Sequence, residues 1–436
     1  MRKLSGVNVP HHKNTAEMAP VALTVPPEVV IPMSMHSGAP AKPVVAKGDA
    51  VKVGQLIGEA QGFVSSPVHA SVSGTVTSVE EVTGLSGTKT MAVRIAADGA
   101  QTPYEGLAVP MVSNTEEFLA AVRGSGVVGL GGAAYPTAAK LTIKETNKID
   151  YILVNGAECE PYVTSDTRTM VDDAEYVWEG MQLLMQYLKP GKVIICIEEN
   201  KQAPIANMSG YTRGVAGMEV RVLPSQYPQG ERKVLVYHVT GRIVPEGARL
   251  PDVGCVVINC TTVATLAKYI KTGEPLVSRC VTVDGPAVAS PQNVISPIGA
   301  PVSKLLEFCG LKEAPKKVLL GGPMMGFAIP DMEMPVIKST NGIMAFGIKG
   351  ASAAETPCIK CARCLRHCPM NLMPMHIEAA YKLKKPDLLE KYNVTLCLEC
   401  GCCAYSCPAK HPLMQTMQLA KQMLWDHRKA KGGVAG

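Results

Sequence analysis

No run of about 18 apolar residues occurs in the chain, which excludes a membrane-spanning helix. The basic start, Met1-Arg2-Lys3, is followed by no apolar stretch, so no secretory signal is expected. Aromatic residues are scarce at 5% of 436 residues, with two Trp and five Phe. From residue 358 onward, twelve Lys and Arg are interleaved with cysteines rather than with aromatics, which excludes a nucleic-acid patch. Cysteine is plentiful at 15, yet a disulfide scaffold is excluded. Eight cysteines form two runs near the end, Cys402 lies inside the second, and the other six stand singly in apolar segments, as reduced buried thiols do. A reducing compartment follows, with the chain in the cytosol or attached to a membrane through a partner.

The two runs are Cys358-x2-Cys361-x2-Cys364-x3-Cys368-Pro369 and Cys397-x2-Cys400-x2-Cys403-x3-Cys407-Pro408. In this spacing three thiolates of one tight loop cover three corners of a 4Fe-4S cube, and the fourth cysteine serves the other cluster. Cys358, Cys361, Cys364 and Cys407 are assigned to the first cluster, and Cys397, Cys400, Cys403 and Cys368 to the second. A pair of zinc knuckles needs only two C-x2-C pairs per site and leaves both Cys-Pro ends without a role. Cys402 is spare. The five acidic residues of this segment leave it strongly basic. Two readings stay open: compensation of the anionic clusters, or a docking surface for an acidic electron donor.

At this length the chain should divide into about two to four domains. Residues 30 to 97 carry alternating Val positions with Gly-Asp and Ser-Gly turns, the pattern of a small all-β domain. It resembles the barrel-sandwich fold of biotinyl and lipoyl carriers, but the hairpin tip has Val68 and His69 where a carrier has its modifiable Lys. A structural module is expected, with His69 packed rather than ligating. A helix over 115–123, capped at Ser113 or Asn114, leads into a glycine-rich stretch, Gly124 to Lys140. Gly124, Gly126 and Gly129 match G-x-G-x-x-G literally, but that fingerprint must leave a strand, and this one leaves a helix. Five closely spaced glycines nevertheless let backbone N–H groups approach a phosphate or a flat ring.

Strand and helix signals then alternate. Strands are expected at 150–155, 192–198, 219–224 and 255–259, with helices at 172–188, from about 231, and at 261–271. This is the pattern of a parallel α/β sheet with ligands at the strands' carboxyl ends. Those ends hold Asn155-Gly-Ala-Glu158-Cys-Glu160-Pro161, Tyr227-Pro-Gln-Gly230-Glu231-Arg232 and Asn259-Cys260-Thr261-Thr262. Short β segments return over 280–330 with one helix at 302–309. Residues 338–356 read as a linker, and helices at 373–384, 387–392 and 413–427 complete the cluster domain.

Gly129-Leu-Gly131-Gly132-Ala-Ala-Tyr135-Pro-Thr-Ala-Ala-Lys140 resembles the flavin loop of the NADH-oxidising, FMN-binding subunit of respiratory complex I. Asn155-Gly-Ala-Glu-Cys-Glu-Pro-Tyr162 resembles that family's N-A-D-E-x-E-P-G, with Ala157 in place of Asp. In this form, with Tyr227-Pro-Gln-Gly230, Ser296-Pro-Ile-Gly-Ala-Pro301 and Gly321-Gly-Pro-Met-Met-Gly326, the chain resembles the C subunits of Rnf electron-transport complexes over nearly its whole length. The resemblance implies a multidomain α/β protein. Its parts are a barrel-sandwich module (1–105), a Rossmann-like FMN/NADH domain (106–275), a β-grasp-like SLBB domain (276–337), a linker (338–357) and an α-helical ferredoxin-like two-cluster domain (358–436).

The resemblance further implies non-covalent FMN held by Gly129, Gly131, Gly132, Lys140, Asn155, Asn259, Thr261 and Thr262, with its phosphate near Thr261. Tyr135 would stack on the nicotinamide, while Glu158, Glu160 and Glu231 would face the dinucleotide, Glu231 at a ribose hydroxyl. FMN belongs between NAD(H), which moves two electrons, and clusters that take one at a time. The implied partners are membrane-embedded and other Rnf subunits and a ferredoxin-type donor or subunit, at the cytoplasmic face of the membrane. A soluble flavin/iron-sulfur reductase, such as a cobalamin reductase, and a non-enzymatic electron relay remain as alternatives.

Overall fold

In a computed structural model of the protein, residues 4–84, 87–144, 146–348 and 354–431 are described. The alternating Val positions form strands: β1 (Val21–Ala22), β2 (Glu28–Pro32), β3 (Lys42–Pro43), β4 (Ala50–Val51), β5 (Leu56–Glu59), β6 (Val68–His69), β7 (Gly74–Thr83) and β8 (Lys89–Ala97). One sheet has the order β2-β8-β7-β4 and a second β3-β5-β6. Alternation sends Val29, Ile31, Val93 and Ile95 to one face, where they share a core with Ile57 and Val68. His69 is packed, as expected: it is buried, and its Nδ1 has no hydrogen-bond partner.

Helix α1 (Thr115–Gly124) is capped by Asn114, whose side chain accepts from the Glu117 N–H. After the glycine loop and the short α2 (Thr137–Leu141) comes the parallel sheet. Its strands are β9 (Tyr151–Gly156), β10 (Lys192–Glu198), β11 (Met218–Leu223) and β12 (Cys255–Asn259), in the order β11-β10-β9-β12. Between them run α3 (Ser165–Asp172), α4 (Ala174–Leu188), α5 (Gln202–Thr212) and α6 (Arg232–Thr240), and α7 (Cys260–Thr272) follows β12. The expected helix over 172–188 is α4, and the polar α3 that precedes it was not expected.

The third module has β13 (Ser278–Asp284), β14 (Gln292–Pro297), α8 (Val302–Cys309), β15 (Lys317–Leu320), β16 (Phe327–Ile329) and β17 (Gly342–Phe346). Its mixed sheet runs β1-β14-β13-β17-β15-β16, so the N-terminal module lends it an edge strand. The expected linker is corrected here. β17 lies inside it and is central to the sheet, parallel to β13 and antiparallel to β15. Lys338 is also buried, donating to Ser66 Oγ (3.2 Å) and to the carbonyls of Pro67 (2.5 Å) and Gly126 (2.7 Å). Five β17 residues are too few to show a period, and a buried lysine is visible only through its distant acceptors. Residues 349–353 of that stretch lie outside the described residues.

The last module contains α9 (Arg363–Arg366), α10 (Pro374–Lys382), α11 (Pro386–Lys391), α12 (Cys402–Ser406) and α13 (Leu413–Ala430). Ile377, Leu389, Met417 and Leu424 form its core. Among the described residues no helix is long and apolar enough to cross a membrane.

Candidate functional site

The glycine loop closes on itself: the Gly129 N–H donates to the Tyr135 carbonyl (2.9 Å) and the Ala134 N–H to the Gly129 carbonyl (3.1 Å). Gly132, at φ +105°, takes a backbone conformation that only glycine adopts without strain. Leu130 pins the loop, its N–H donating to Thr262 Oγ1 (3.0 Å) and its carbonyl accepting from Arg279 Nη2 (3.0 Å). A Cβ on Gly131 would lie 3.1 Å from Asn259 Nδ2, so the loop lies directly against the start of α7. The loop leaves α1 and enters α2, so the literal dinucleotide fingerprint is not a strand-to-helix turn. Tyr135 stands on the loop, 37% exposed. Lys140 Nζ donates to the Val257 carbonyl (3.3 Å), and burial, then the charge of Arg232, pushes its pKa down to about 8.

The strand ends meet the loop. Asn155 accepts from the Ala157 N–H (3.2 Å) and donates to the Gly230 carbonyl (2.9 Å), joining two of the expected rim segments. Asn259 caps α7 by accepting from the Thr262 N–H (3.0 Å). Its amide donates to Asp166 Oδ2 (2.7 Å), and the Thr261 hydroxyl donates to Asp166 Oδ1 (2.6 Å). Asp166 was not anticipated, although Thr164-Ser-Asp166 is a helix-start signal. Burial, then the charge of Glu158, raises its pKa to about 6. An anion at the α7 start is therefore best accommodated when Asp166 carries its proton.

Two carboxylates expected to face a dinucleotide are spent on the protein instead. Glu158, buried, accepts from the N–H groups of Asp166 (2.6 Å) and Thr167 (3.2 Å) and pairs with Lys201 at 3.1 Å. Glu160 accepts from the N–H groups of Met324 (3.0 Å) and Met325 (2.8 Å), and burial pushes its pKa up to about 7. The physical reason is local: one acid lies against the α3 N-terminus and the other against the Gly321–Gly326 turn, both rich in unpaired N–H donors. That turn needs its glycine, since a Cβ on Gly322 would stand 2.2 Å from Glu160 Oε2. Lys13, from an N-terminal arm also missed by sequence patterns, donates to the carbonyls of Glu158, Glu160 and Val163. Glu231 caps α6, with Oε2 accepting from Lys233 (2.7 Å) and Val234 (3.1 Å).

The cysteines gather in two sets. Cys358, Cys361, Cys364 and Cys407 line one cavity, and Cys368, Cys397, Cys400 and Cys403 line another. Four thiols around each cavity suit a cubane that takes one thiolate per iron. Cys402 borders the second cavity and is buried with Val7, Tyr227 and Met324. Tyr227 joins the halves, its hydroxyl donating to the Cys400 carbonyl at 2.7 Å.

Fold and site define the class: a redox protein that couples a complex I-type flavin domain to a two-cluster ferredoxin-like domain. Family models agree, with the RnfC barrel sandwich hybrid domain matching residues 2–100, the Nuo51 FMN-binding domain 122–268, the SLBB domain 280–328 and the 4Fe-4S dicluster domain 357–411. The chain belongs to the RnfC family. It is 40% identical over 433 residues, covering 97% of both chains, to the C subunit of the Na(+)-translocating ferredoxin:NAD(+) oxidoreductase complex of Acetobacterium woodii. It is 38% identical to the proton-translocating counterpart of Clostridium ljungdahlii over 89% of this chain and 86% of that one. Identity is 37% to the C subunit of the ion-translocating oxidoreductase complex of Rhodobacter capsulatus, over 98% and 84%. Among solved structures, an NAD+-reducing NiFe hydrogenase in the H2-reduced state shares the fold, with TM-score 0.51 and 16% identity over 74% of this chain and 67% of that one.

Proposed function

We propose that the chain is the peripheral NAD(H)-linked subunit of an ion-translocating ferredoxin:NAD oxidoreductase complex, passing electrons between NAD(H), FMN and two 4Fe-4S clusters. The observation that carries this reading is the Tyr227–Cys400 bond, which ties the flavin-type rim to a cluster cavity within one chain. Relatives matching 97% of the chain favour it over a cobalamin-reductase-like enzyme or a bare electron relay. Bound FMN supplies the exchange between a two-electron donor and one-electron carriers.

The residues that fit FMN are Gly129, Gly131, Gly132, Lys140, Asn155, Asn259, Thr261 and Thr262. The bare loop backbone lets a flat ring approach, and Lys140 and the α7 start offer positive potential. Tyr135 is exposed enough to stack on a nicotinamide, and Glu231 retains one carboxylate oxygen for a ribose hydroxyl. Glu158 and Glu160 hold the rim rather than the dinucleotide. Cys358, Cys361, Cys364 and Cys407 hold the first cluster, and Cys397, Cys400, Cys403 and Cys368 the second. Exposed Cys358 is followed in the chain by exposed Lys360, Arg363 and Arg366, which suit an acidic ferredoxin-type partner or subunit. In this reading the chain sits at the cytoplasmic face, against the complex's membrane-embedded subunits.

Anaerobic reconstitution with FMN, iron and sulfide, followed by NADH, tests the reading. Bleaching of the flavin and then of the cluster absorbance is expected. Bound flavin that NADH fails to bleach would sink it.

A further inference from the structure

The two cluster cavities draw on equivalent positions of the two runs, but Glu378 and His411 line the first where Met417 and Leu372 line the second. Four residues after the cysteine that crosses to the other run, the second cavity has Leu372 and the first has His411, and both line their cavities. Leu372 is buried in the apolar core of the module. His411 is equally buried but polar: its Nε2 lies 3.0 Å from the Thr356 carbonyl and its Nδ1 2.9 Å from Glu378 Oε1. The Thr356 N–H in turn donates to the Ala409 carbonyl at 3.0 Å.

These contacts join three parts of the chain. Thr356 lies two residues before Cys358, the exposed member of its set, whereas Ala409 and His411 follow Cys407. Glu378 sits buried on α10, and the same oxygen that faces His411 pairs with Lys382 at 2.9 Å. The carboxylates of Glu355 and Glu378 with His411 also resemble a metal set, since their ligand atoms lie within 4.8 Å of one another. That position already has its cation, because the Lys382 ammonium reaches both carboxylates, at 2.9 and 3.7 Å. The arrangement is a clamp.

We propose that His411 and Glu378 are positioning residues for the first cluster. They lock the segment that carries Cys358 onto the segment that delivers Cys407, so that the ligand from the far run meets the three from the near one. The second cluster's segment is held differently: Cys397 follows a helical turn at Val394–Leu396, and its carbonyl accepts from Lys421 on α13 at 2.8 Å. The proposal rests on the crossed ligand assignment given above.

The test uses the full chain, reconstituted anaerobically with iron and sulfide. Iron content, the electron paramagnetic resonance spectrum of the reduced protein and the rate of iron extraction by a ferrous chelator are measured. Wild type should load two clusters. His411→Leu, which copies the second cavity, should distort the first cluster's signal and speed its extraction by about tenfold, as outer-shell losses do. The second cluster's signal and extraction should not change. His411→Gln, which keeps a donor for the Thr356 carbonyl, should restore much of the wild-type signal. If His411→Leu is insoluble, Glu378→Gln is read in the same way. Equal loss of both clusters, or no change in either, would overturn the clamp. Wild type that loads fewer than two clusters would overturn the ligand assignment itself, and the clamp with it.

Discussion

The hydroxyl of Tyr227 donates to the carbonyl oxygen of Cys400 across 2.7 Å, linking the loop that follows β11 to the second cysteine run. Burial, then the charge of Glu160, raises the phenol's pKa well above its ordinary value, so it stays a donor at any working pH. The same loop reaches the flavin-type rim, because Asn155 donates to the Gly230 carbonyl. The second cysteine run is therefore tied to the rim by hydrogen bonds, whereas Cys358 of the first run is exposed.

Tyr227→Phe should loosen this joint without touching a thiolate. A buried carbonyl left without its donor costs about 1–3 kcal/mol. Thermal unfolding followed at the cluster absorbance should begin at lower temperature, while flavin content is kept. An unshifted transition would show that the bond adds nothing to docking.

Crossed ligation predicts a crossed loss. Cys407→Ser should remove the signal of the cluster whose other ligands are Cys358, Cys361 and Cys364, and Cys368→Ser that of the other. Each single variant would be compared by electron paramagnetic resonance with Cys361→Ser and Cys400→Ser. A Cys407→Ser spectrum that matches Cys400→Ser would reverse the assignment.

His69 makes stability depend on pH in one direction. Burial, then the charge of Lys338, depresses its pKa to about 3. Its contribution is complete above the unfolded value near 6.5 and falls as pH drops toward 3, because only the unfolded chain gains a proton there. From pH 7.5 to 5, wild type should lose about 2 kcal/mol relative to His69→Gln, at about 1.4 kcal/mol per unit below 6.5. Thermal melts of both proteins at the two pH values check this, and a constant difference would show that the ring titrates normally.

The strands β9, β10 and β12 were legible because both their faces are covered, which leaves short continuous apolar runs such as Lys192–Glu198. The cysteine runs were legible because three of every four ligands are local. What escaped was structure made by distance. α5 contains Pro204 and Gly210 and shows no apolar stripe, so only its packing against α3 and β11 makes it a helix. Lys13 finds its acceptor on Glu158, 145 residues away, and nothing in either segment announces the other. The acidic motif itself misled: Glu158 and Glu160 have the residue types of a binding rim, but the donors nearest them belong to the protein. Asp166 went unnoticed because its role depends on Asn259 and Thr261, which reach it only through the sheet.

Substitution of Glu231 should separate binding of the dinucleotide from binding of the flavin. Its Oε2 is committed to the N–H groups of Lys233 and Val234, and its side chain is 11% exposed beside the rim. In Glu231→Gln the amide oxygen can keep capping α6, so the helix and the FMN loop should stay intact. What is lost is the negative acceptor, and a hydrogen bond to a charged group is worth about 1.5–3 kcal/mol. The KM for NADH should rise about tenfold or more, with kcat and FMN content near wild type. An unchanged KM would remove Glu231 from the site, and lost FMN would show that the cap, rather than the ribose contact, is its contribution.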